Sequence, residues 1–513
     1  MPISSDKKVV LIVGVLALVL VTMPYLYAAS QAGPAHKFGG FLLNPIDGNS
    51  YLAKMYQGWE GGWRFTLPYT HDPGEGAYFF LFYLLLGHIA RVFNLPLLVV
   101  FHMFRISSAG LLLASMARFF RLTLPDTRDK KLAFCIAALG SGLGWTVIPW
   151  GLFTADLWVA ETYPFLAAYA NPHFPLGLAA MLVLIKPGEK DHYLIWGLLA
   201  CLLALCLPFG VVLVILVHVI SILVKAFSGD HGFFKEVLRI REVRLLIVVI
   251  GCGMPFLIYE IWAVSADPVL SKWHAQNLTP SPPLWNTILS LSPPLIFAIL
   301  GIKRTWHTSP GRVLLYWLFL GAALIYFPWS LQRRFLLGYY IPLAGMAVLA
   351  IRRIAERFKI RYRTLGIILI ILVLPTNLII LTSAIQAVGN HDSRIYLSQA
   401  EVEAFDWIIE NTQETSLILA APETGLYIPA YTGRQVIYGH PFETTEAERK
   451  GEVVRNYYRG EWSINQSISF FEKYGVDYIF YGPREEELGN LKVSEDMEIV
   501  YRNQDIQIFK FSP

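Results

Sequence analysis

Long apolar runs separated by short basic loops constrain the fold of this chain more than any other feature of its sequence. A helix of about 20 apolar residues is long enough to cross the hydrocarbon core of a bilayer. Of the 513 residues, 55% are hydrophobic and 16% are charged, whereas charged residues make up about a quarter of a soluble domain. The sequence therefore predicts a polytopic α-helical membrane protein with about eleven transmembrane helices. These are expected at about 9–29, 97–117, 132–150, 173–187, 192–208, 209–227, 243–264, 284–302, 312–329, 335–351 and 364–385.

The basic loops predict how the chain crosses the membrane, because cytoplasmic loops carry an excess of Lys and Arg. They begin at Arg118, Lys186, Lys225, Lys303 and Arg352. All of them share the side of Lys7 and Lys8 only if one further apolar run, 77–93, does not cross fully. We therefore predict that 77–93 is a juxtamembrane or re-entrant helix on the outer face. The N-terminus is then cytoplasmic and the C-terminus extracytoplasmic, in the plasma (inner) membrane of a bacterium or archaeon.

The charge of the chain argues against a nucleic-acid partner. The formal net charge of +4 is small and is concentrated in the basic loops, so it reports membrane orientation. No phosphate-binding signature of the GxxxxGK[ST] type occurs, and no nucleotide cofactor is expected. The apolar run from Val9 to Ala29 follows Lys7 and Lys8, but its length and the apolar segments after it predict an uncleaved first helix.

The composition changes near Gly389, which divides the chain into a predicted transmembrane domain, 1–388, and a predicted extracytoplasmic α/β domain, 389–513. In the second part, amphipathic patterns predict helices, and β-branched and aromatic runs predict strands. The expected helices are Glu401–Asn411, Glu443–Tyr458 and Ser467–Tyr474. The expected strands are Ser416–Ala420, Val436–Tyr438, Asp477–Tyr481, Glu498–Tyr501 and Ile506–Phe511. Loops are expected at Gly425, Pro429, Gly433 and the turn Gly439-His440-Pro441.

Acidic residues collect in two predicted outer loops, 30–76 and 151–172. In the first loop, Asp47 follows Asn44-Pro45-Ile46 and lies just ahead of a helical stretch that begins at Tyr51. Two interpretations stay open. Asp47 is a helix N-cap or Asx-turn residue, a common role for Asp beside Asn and Gly. Alternatively, it is a general base that removes a proton from an acceptor hydroxyl.

Further polar candidates on the same predicted face are either solvated loop residues or ligands of a substrate. They are Asp72 and Glu75 before the re-entrant helix, and Asp156, Glu161 and His173 in or beside the second loop. The second loop has no Lys or Arg, so its carboxylates have no cation nearby in sequence to offset the cost of desolvation. A divalent metal held by Asp47 with Asp156 or Glu161 stays open, although no tight ligand spacing demands it.

Arg333 and Arg334 break the positive-inside pattern, because the predicted topology places them on the outer side. A guanidinium group holds a phosphate through two parallel hydrogen bonds, so both arginines are candidates to bind the phosphate of a polyprenyl carrier. The other interpretation is that they anchor the interface or pair with outer carboxylates. Arg105 lies within a predicted helix, where an arginine is costly unless it is paired or hydrated, and is a candidate to line the same cavity.

With these features the chain resembles the glycosyltransferase C (GT-C) superfamily, which includes protein mannosyltransferases and bacterial aminoarabinose transferases. The resemblance covers most of the chain. It rests on the acidic first outer loop with Asp47, the juxtamembrane segment after it, the second acidic loop, an arginine at the outer end of a late helix and the outer C-terminal domain. It implies transfer of a sugar, with inversion, from a polyprenyl-phosphate donor in the bilayer to a glycan, lipid or protein acceptor.

The resemblance also implies roles for individual residues. Asp47 would be the catalytic base, and the carrier phosphate would meet Arg333 or Arg334. Members of the superfamily often carry two acids together in the first loop, whereas Gly48 follows Asp47 here. The second acid is then left to Glu75 or Glu161. The C-terminal tail would recognise the acceptor or cover the site.

Two other classes of function stay open. One is a transporter or flippase for a lipid-linked or small substrate, for which Glu260 near the outer end of its helix is the main support. The other is a catalytically inactive relative in which the tail is a binding module.

Overall fold

The computed structural model describes residues 5–227, 241–492, 494 and 496–512. By contacts the chain divides into two compact units, each built from separate stretches of sequence. Unit 1 comprises Met1–Pro24, Phe101–Tyr259 and Thr279–Ile385, and unit 2 comprises Tyr25–Val100, Glu260–Leu278 and Gln386–Pro513. The predicted division at Gly389 stays a prediction. Most of the basic loop expected from Lys225 to Arg244 lies outside the described residues.

Helices make up most of the described chain before the C-terminal tail. In order they are α1 (Ser5–Gln31), α2 (Pro45–Trp59), α3 (Leu81–Phe93), α4 (Leu97–Thr123), α5 (Thr127–Leu139), α6 (Pro164–Ala170), α7 (His173–Ile185), α8 (Tyr193–Cys206), α9 (Pro208–Phe227), α10 (Arg241–Ala266), α11 (Pro268–Gln276), α12 (Leu284–Leu291), α13 (Pro294–Trp306), α14 (Arg312–Ile325), α15 (Tyr340–Phe358), α16 (Tyr362–Val373) and α17 (Pro375–Gly389). Short 3-10 turns occupy much of the second acidic loop, and another spans Gln332–Leu336.

Several of these helices are long and apolar enough to cross a membrane. Within the described residues there are five such spans, formed by α1, α4, α9, α10 and the consecutive helices α16 and α17. The pair α12 and α13 adds a sixth if it is one span, although the two helices are bent by 79°. Shorter apolar helices accompany them, including α3, α7 and α8. A multi-pass membrane protein is thus supported, and the count of about eleven spans stays a prediction.

Two of the predicted straight helices in unit 1 are wrong. The helix expected over 132–150 ends at Leu139, because Gly140 leaves the helical conformation. A Cβ at Gly142 would lie 1.9 Å from the carbonyl oxygen of Ser290, so the chain there needs glycine. The helix expected over 284–302 is broken after Leu291, where Pro293 has no N–H to continue the hydrogen-bond ladder.

In unit 2, α2 and α3 are in backbone contact. A Cβ added to Gly58 would lie 2.1 Å from the carbonyl oxygen of Leu84, and one added to Gly87 would lie 2.0 Å from that of Met55. Glycine at both positions therefore allows the helices to approach this closely. With thirteen residues, α3 is about 20 Å long, shorter than the hydrocarbon core of about 30 Å. Its predicted re-entrant placement stays a prediction.

The tail in unit 2 contains a mixed sheet covered by helices. Its strands are β3 (Leu417–Leu419), β4 (Gln435–Val436), β5 (Tyr478–Tyr481), β6 (Met497–Arg502) and β7 (Gln507–Phe511), in the order β4-β3-β5-β7-β6. The helices are α18 (Gln399–Asn411), α19 (Pro422–Thr432), α20 (Ala447–Tyr458), α21 (Ile464–Tyr474) and α22 (Pro483–Glu486). β3 pairs in parallel with β4 and β5, and β7 is antiparallel to β5 and β6. Leu419, Tyr458, Ile479 and Phe509 belong to its buried core.

A strand pair also joins the tail to the first acidic loop within unit 2. β1 (His36–Phe38) is antiparallel to β2 (Tyr396–Ser398), with Lys37 opposite Leu397. The tyrosine at the start of β2 donates a hydrogen bond from its hydroxyl to the carbonyl of Ala28. The start of the tail is therefore attached to the stretch of chain that leads into α2.

All five predicted tail strands have a counterpart, although the one expected at Val436–Tyr438 lies at Gln435–Val436. Two other predictions about the tail are wrong. The segment around Gly425 and Pro429 is the helix α19 rather than a loop. Gly425 is required by packing, since a Cβ there would lie 2.2 Å from the carbonyl oxygen of Tyr438. Gly433 ends this helix in the left-handed conformation. The helix expected from Glu443 begins only at Ala447.

Candidate active site

Asp47 lies in the first turn of α2, so the prediction that it precedes the helix is wrong. The N-cap is Asn44, and Pro45 occupies the first turn, where its missing N–H costs no hydrogen bond. The side-chain amide of Asn44 donates to Asp47 Oδ2 at 2.5 Å, and its oxygen accepts from the Asp47 N–H. The Asp47 side chain is 44% exposed, and the helix N-terminus favours its negative charge. The carboxylate is thus oriented but accessible.

His440, in the tail segment of unit 2, faces the same carboxylate. Its Nδ1 accepts hydrogen bonds from the backbone N–H groups of Phe442 and Glu443, both at 3.1 Å. An acceptor at Nδ1 places the proton of the neutral ring on Nε2. That Nε2 lies 3.6 Å from Asp47 Oδ1, and the His440 side chain is only 2% exposed. The buried N–H therefore points towards the candidate base.

A buried ion pair holds this tail segment against α2. Lys54 Nζ donates to Glu443 Oε1 and to Ser50 Oγ, each at 2.5 Å, and Ser50 Oγ also donates to Glu443 Oε1 at 2.6 Å. The ammonium of Lys54 lies 4.4 Å from the centre of the Phe80 ring. Because Asp47, Ser50 and Lys54 are three and four residues apart, they share one face of the helix.

Burial shifts the ionisation of both partners of the pair. It lowers the pKa of the Lys54 ammonium, and the charge of Glu443 opposes that shift. Burial would raise the pKa of the Glu443 carboxyl, but the charge and hydrogen bond of Lys54 outweigh it and hold that pKa below its usual value. Glu443 is therefore ionised at neutral pH and keeps the segment next to His440 in place.

Little in the sequence indicates this cluster. His440 belongs only to the predicted turn Gly439-His440-Pro441, and Lys54 and Glu443 are part of no motif. One clue was the glycine before His440, because a Cβ at Gly439 would lie 2.2 Å from the carbonyl oxygen of Gly425. Such a close approach of two backbones at the turn Gly439-His440-Pro441 indicates a tightly packed loop.

The other candidates in the first loop lie at the surface of unit 2. Asp72 and Glu75 are both exposed. Their neighbour His71 is 3.1 Å from the ammonium of Lys450, which also donates to Thr70 Oγ1. Burial lowers the pKa of Lys450 to about 8. The substrate-binding role of Asp72 and the catalytic role of Glu75 stay predictions.

In unit 1, Asp156 has no exposed surface, and its partners come from its own loop, from the turn at Gly144 and from α17. Its carboxylate accepts hydrogen bonds from Gly144 N at 2.9 Å, Thr154 Oγ1 at 2.5 Å and Thr376 Oγ1 at 3.0 Å. Burial raises the pKa of the Asp156 carboxyl, and these hydrogen bonds limit the rise. The contacts favour a structural role, and the role of Asp156 as a substrate ligand stays a prediction.

Glu161, Arg333 and Arg334 lie near one another in unit 1. The Arg334 Nη1 is 3.9 Å from Glu161 Oε1, with the arginine side chain 41% exposed and the glutamate buried. The Arg333 guanidinium lies 4.7 Å from the centre of the Trp158 ring. A buried carboxylate and an aromatic face thus orient two guanidinium groups. Arg334 keeps exposed surface with which to contact an anion.

Arg105 and His173 have contacts that account for their positions. Arg105 is buried, and its Nη1 donates to the carbonyl oxygens of Val21 and Ala168, all within unit 1. His173 is the first residue of α7, and its ring lies 4.1 Å from that of Phe174. The substrate-binding roles of both residues stay predictions.

A metal centre has no evident set of ligands. In the described part of the chain, no three His, Cys, Asp or Glu side chains are grouped so as to hold a metal ion. The partners of the Asp156 carboxylate are hydroxyl and amide donors, which suit an oxygen acceptor rather than a metal ligand. The divalent metal considered for Asp47 with Asp156 or Glu161 stays a prediction.

Comparison with known proteins finds likeness in structure alone. No protein-family model and no curated protein matches the sequence. The oligosaccharyltransferase of Archaeoglobus fulgidus in its apo form superposes with a TM-score of 0.59 at 12% identity, covering 93% of this chain and 69% of the other. The oligosaccharyltransferase AglB from Archaeoglobus fulgidus, in complex with an inhibitory peptide and a dolichol-phosphate, gives 0.56 at 13% identity and the same coverage. ArnT of Cupriavidus metallidurans bound to undecaprenyl phosphate gives 0.49 at 12% identity, covering 99% and 98%.

Proposed function

Because the chain has the GT-C fold of its structural neighbours, we propose that it is a membrane glycosyltransferase. It moves a sugar from a polyprenyl-phosphate donor to an acceptor hydroxyl on the extracytoplasmic face. The observation that carries the proposal is the oriented, half-exposed carboxylate of Asp47 in the first turn of α2. The dolichol-phosphate bound to the archaeal oligosaccharyltransferase supports the class of donor.

The proposed reaction needs one base and one leaving group. Asp47 accepts the proton of the acceptor hydroxyl as that oxygen attacks the anomeric carbon of the sugar. The bond between this carbon and the phosphate oxygen breaks, and its electron pair leaves with the polyprenyl phosphate. The carrier phosphate already activates the sugar, so the protein has to supply the base and the alignment of the reactants. Inversion at the anomeric carbon is expected from the superfamily.

For the phosphate end of the donor we assign Arg334 and Arg333 in unit 1. A guanidinium group makes two parallel hydrogen bonds with a phosphate and offsets the charge that develops on the leaving group. Glu161 and Trp158 orient the two arginines without covering the exposed part of Arg334. Glu161 is then a residue that positions Arg334, and we propose this role for it in place of the catalytic role expected from the sequence.

The test is release of polyprenyl phosphate from a panel of polyprenyl-phosphate sugars by the purified full-length protein. We expect the wild type to turn over at least one donor and Asp47→Asn, which keeps the shape of the side chain, to lose that activity. Glu403→Gln, an exposed carboxyl on α18, is the matched control and should behave as wild type. Equal release by Asp47→Asn would reject Asp47 as the base, and no release from any donor would reject the transferase.

A further inference from the structure

Packing alone does not explain why the side chain of His440 has a buried N–H group. Two backbone donors occupy its Nδ1 and so place its proton on Nε2. Within the described chain, that buried Nε2 has no hydrogen-bond partner. Leaving a buried donor unsatisfied costs about 1–3 kcal/mol. A donor retained at that cost in a tightly held segment indicates that an oxygen atom binds there.

The position of Asp47 indicates what kind of oxygen fits. The distance of 3.6 Å from His440 Nε2 to Asp47 Oδ1 exceeds the 2.7–3.2 Å, roughly, of a direct N–H···O hydrogen bond. A hydroxyl group both accepts and donates hydrogen bonds. It can accept from Nε2–H and donate to the carboxylate at the same time. An ether or carbonyl oxygen cannot satisfy both groups, because it has no proton to give to Asp47.

The surroundings keep the two groups in place. The Tyr69 ring lies 5.5 Å from the His440 ring, and the Tyr69 hydroxyl is held by the carbonyl of Leu426. The pair of Lys54 and Glu443 fixes the segment that follows His440. These contacts all lie within unit 2, so the donor and the carboxylate are held by one compact body.

We infer that His440 and Asp47 together form the binding site for the acceptor hydroxyl, with Nε2–H donating to the hydroxyl oxygen and Asp47 accepting its proton. This inference rests on the proposed function. As the proton moves to Asp47, the Nε2–H hydrogen bond stabilises the negative charge that develops on the oxygen. His440 acts only as a hydrogen-bond donor in this step, because its Nδ1 is occupied by two backbone donors.

Two amide substitutions separate this role from a purely structural one. In His440→Gln the amide nitrogen reaches the place of Nε2 and can donate towards Asp47. In His440→Asn the amide oxygen takes the place of Nδ1 and keeps the backbone donors of Phe442 and Glu443, but nothing replaces Nε2–H. The inference therefore predicts that Gln preserves turnover and Asn loses it. A purely structural role of His440 predicts the opposite, that Asn preserves turnover and Gln loses it.

The assay is polyprenyl phosphate release with glycerol as the hydroxyl probe, using a donor that the wild type turns over. We expect His440→Asn to lower kcat/KM for glycerol by about 10- to 100-fold, the worth of a hydrogen bond to a charged group, and His440→Gln to lower it less than tenfold. His391→Asn is the control, since His391 has a left-handed backbone that Asn tolerates. Equal losses in both His440 variants, or a larger loss in Gln, would overturn the inference.

A second measurement does not depend on activity. A high-resolution experimental structure of the wild type should show an ordered water oxygen within hydrogen-bond distance of both Nε2 and the Asp47 carboxylate, and His440→Asn should lose it. A direct bond from Nε2 to Asp47, or a site without that oxygen, would overturn the inference. If the wild type transfers no sugar from any donor, the proposed function fails, while this observation still decides whether the pair binds a hydroxyl oxygen.

Discussion

Two carboxylates from the predicted outer loops, Asp47 and Asp156, differ in almost every physical respect. Asp156 is fully buried and accepts three hydrogen bonds from Gly144, Thr154 and Thr376. Asp47 is half exposed, is held on one side by Asn44 and faces a buried histidine N–H on the other. Sequence context alone makes both of them site candidates, Asp47 as the base and Asp156 as a substrate ligand.

The difference shows how the hydrogen-bond partners of a carboxylate determine its role. A carboxylate that already accepts from several protein donors has little capacity left for a substrate, and its hydrogen bonds hold a loop together. A half-exposed carboxylate in the first turn of a helix keeps surface with which to contact a substrate, and the helix N-terminus favours its negative charge. Unit 1 thus holds its loop acid in a network of hydrogen bonds, and unit 2 leaves its loop acid half exposed, as the proposed role of a base requires.

Replacing each acid with its amide tests most directly whether Asp47 and Asp156 differ in role. Asp47→Asn should lower transfer by about 10²- to 10⁴-fold, the usual worth of a general base, with little change in the melting temperature. Asp156→Asn should lower the free energy of unfolding by about 1–3 kcal/mol, because its NH2 group faces hydrogen-bond donors, with activity per folded molecule retained. Polyprenyl phosphate release and thermal unfolding measure both. If Asp156→Asn folded as stably as the wild type but lost transfer, Asp156 would not have the purely structural role that distinguishes it from Asp47.

The ion pair beneath Asp47 predicts the next largest effect. Lys54→Met should lower the free energy of unfolding by about 3–5 kcal/mol, because it leaves the Glu443 carboxylate buried without its cation. Lys54→Met combined with Glu443→Gln should recover part of that loss. Thermal unfolding of the two single variants and the double variant gives the coupling. Additive losses would mean that the pair does not hold the segment around His440.

A single hydroxyl group beside Asp156 predicts a smaller change. Thr376→Val keeps the volume of the side chain but removes both the donor to the carboxylate and the acceptor of the Trp145 N–H, so the free energy of unfolding should fall by about 1–2 kcal/mol. The matched control is Thr382→Val, whose hydroxyl is exposed and bonds only to carbonyls of its own helix. Melting temperatures at one pH measure the difference. Equal changes in the two variants would argue that the Asp156 network does not stabilise unit 1.

The smallest expected change in stability is at Arg334. Its contact with Glu161 is long and partly exposed, so Arg334→Gln should alter the free energy of unfolding by less than about 1 kcal/mol. The KM for the polyprenyl-phosphate donor should rise about tenfold, because a charge-assisted hydrogen bond to phosphate is lost. Steady-state kinetics measure this, with Arg394→Gln at an exposed arginine as control. An unchanged donor KM would remove the arginine from the phosphate site.

Patterns of local sequence predicted much of the architecture. Apolar runs indicated the membrane helices, and β-branched and aromatic runs located all five strands of the tail sheet. The start of α2 was also readable, since Asn44 and Pro45 form a helix-start signal, but it was placed too late at Tyr51. The breaks after Leu139 and Leu291 were missed because hydropathy stays high where glycine and proline interrupt the helix.

The candidate site was predicted only in part. Asp47, Glu161 and the two arginines stood out because charges in predicted outer loops are conspicuous. His440, Lys54 and Glu443 did not stand out, because their roles come from contacts between α2 and a segment of the tail. Lys54 and Glu443, for example, are 389 positions apart in the sequence. No local pattern encodes such a contact. Nor does a local pattern distinguish an acid whose oxygens accept from several protein donors from an acid that stays half exposed.

The distance along the chain between α2 and its partners has a consequence for biosynthesis. Ser50 meets Glu443, which is 393 residues later. At translation rates of about 5–20 residues per second, the tail segment emerges roughly 20 to 80 seconds after α2. During that interval the Lys54 ammonium has no carboxylate from Glu443, and the candidate base has no facing histidine. The contacts around the candidate base therefore form only after the tail has been made, and under the proposed function a chain arrested before the tail would transfer no sugar.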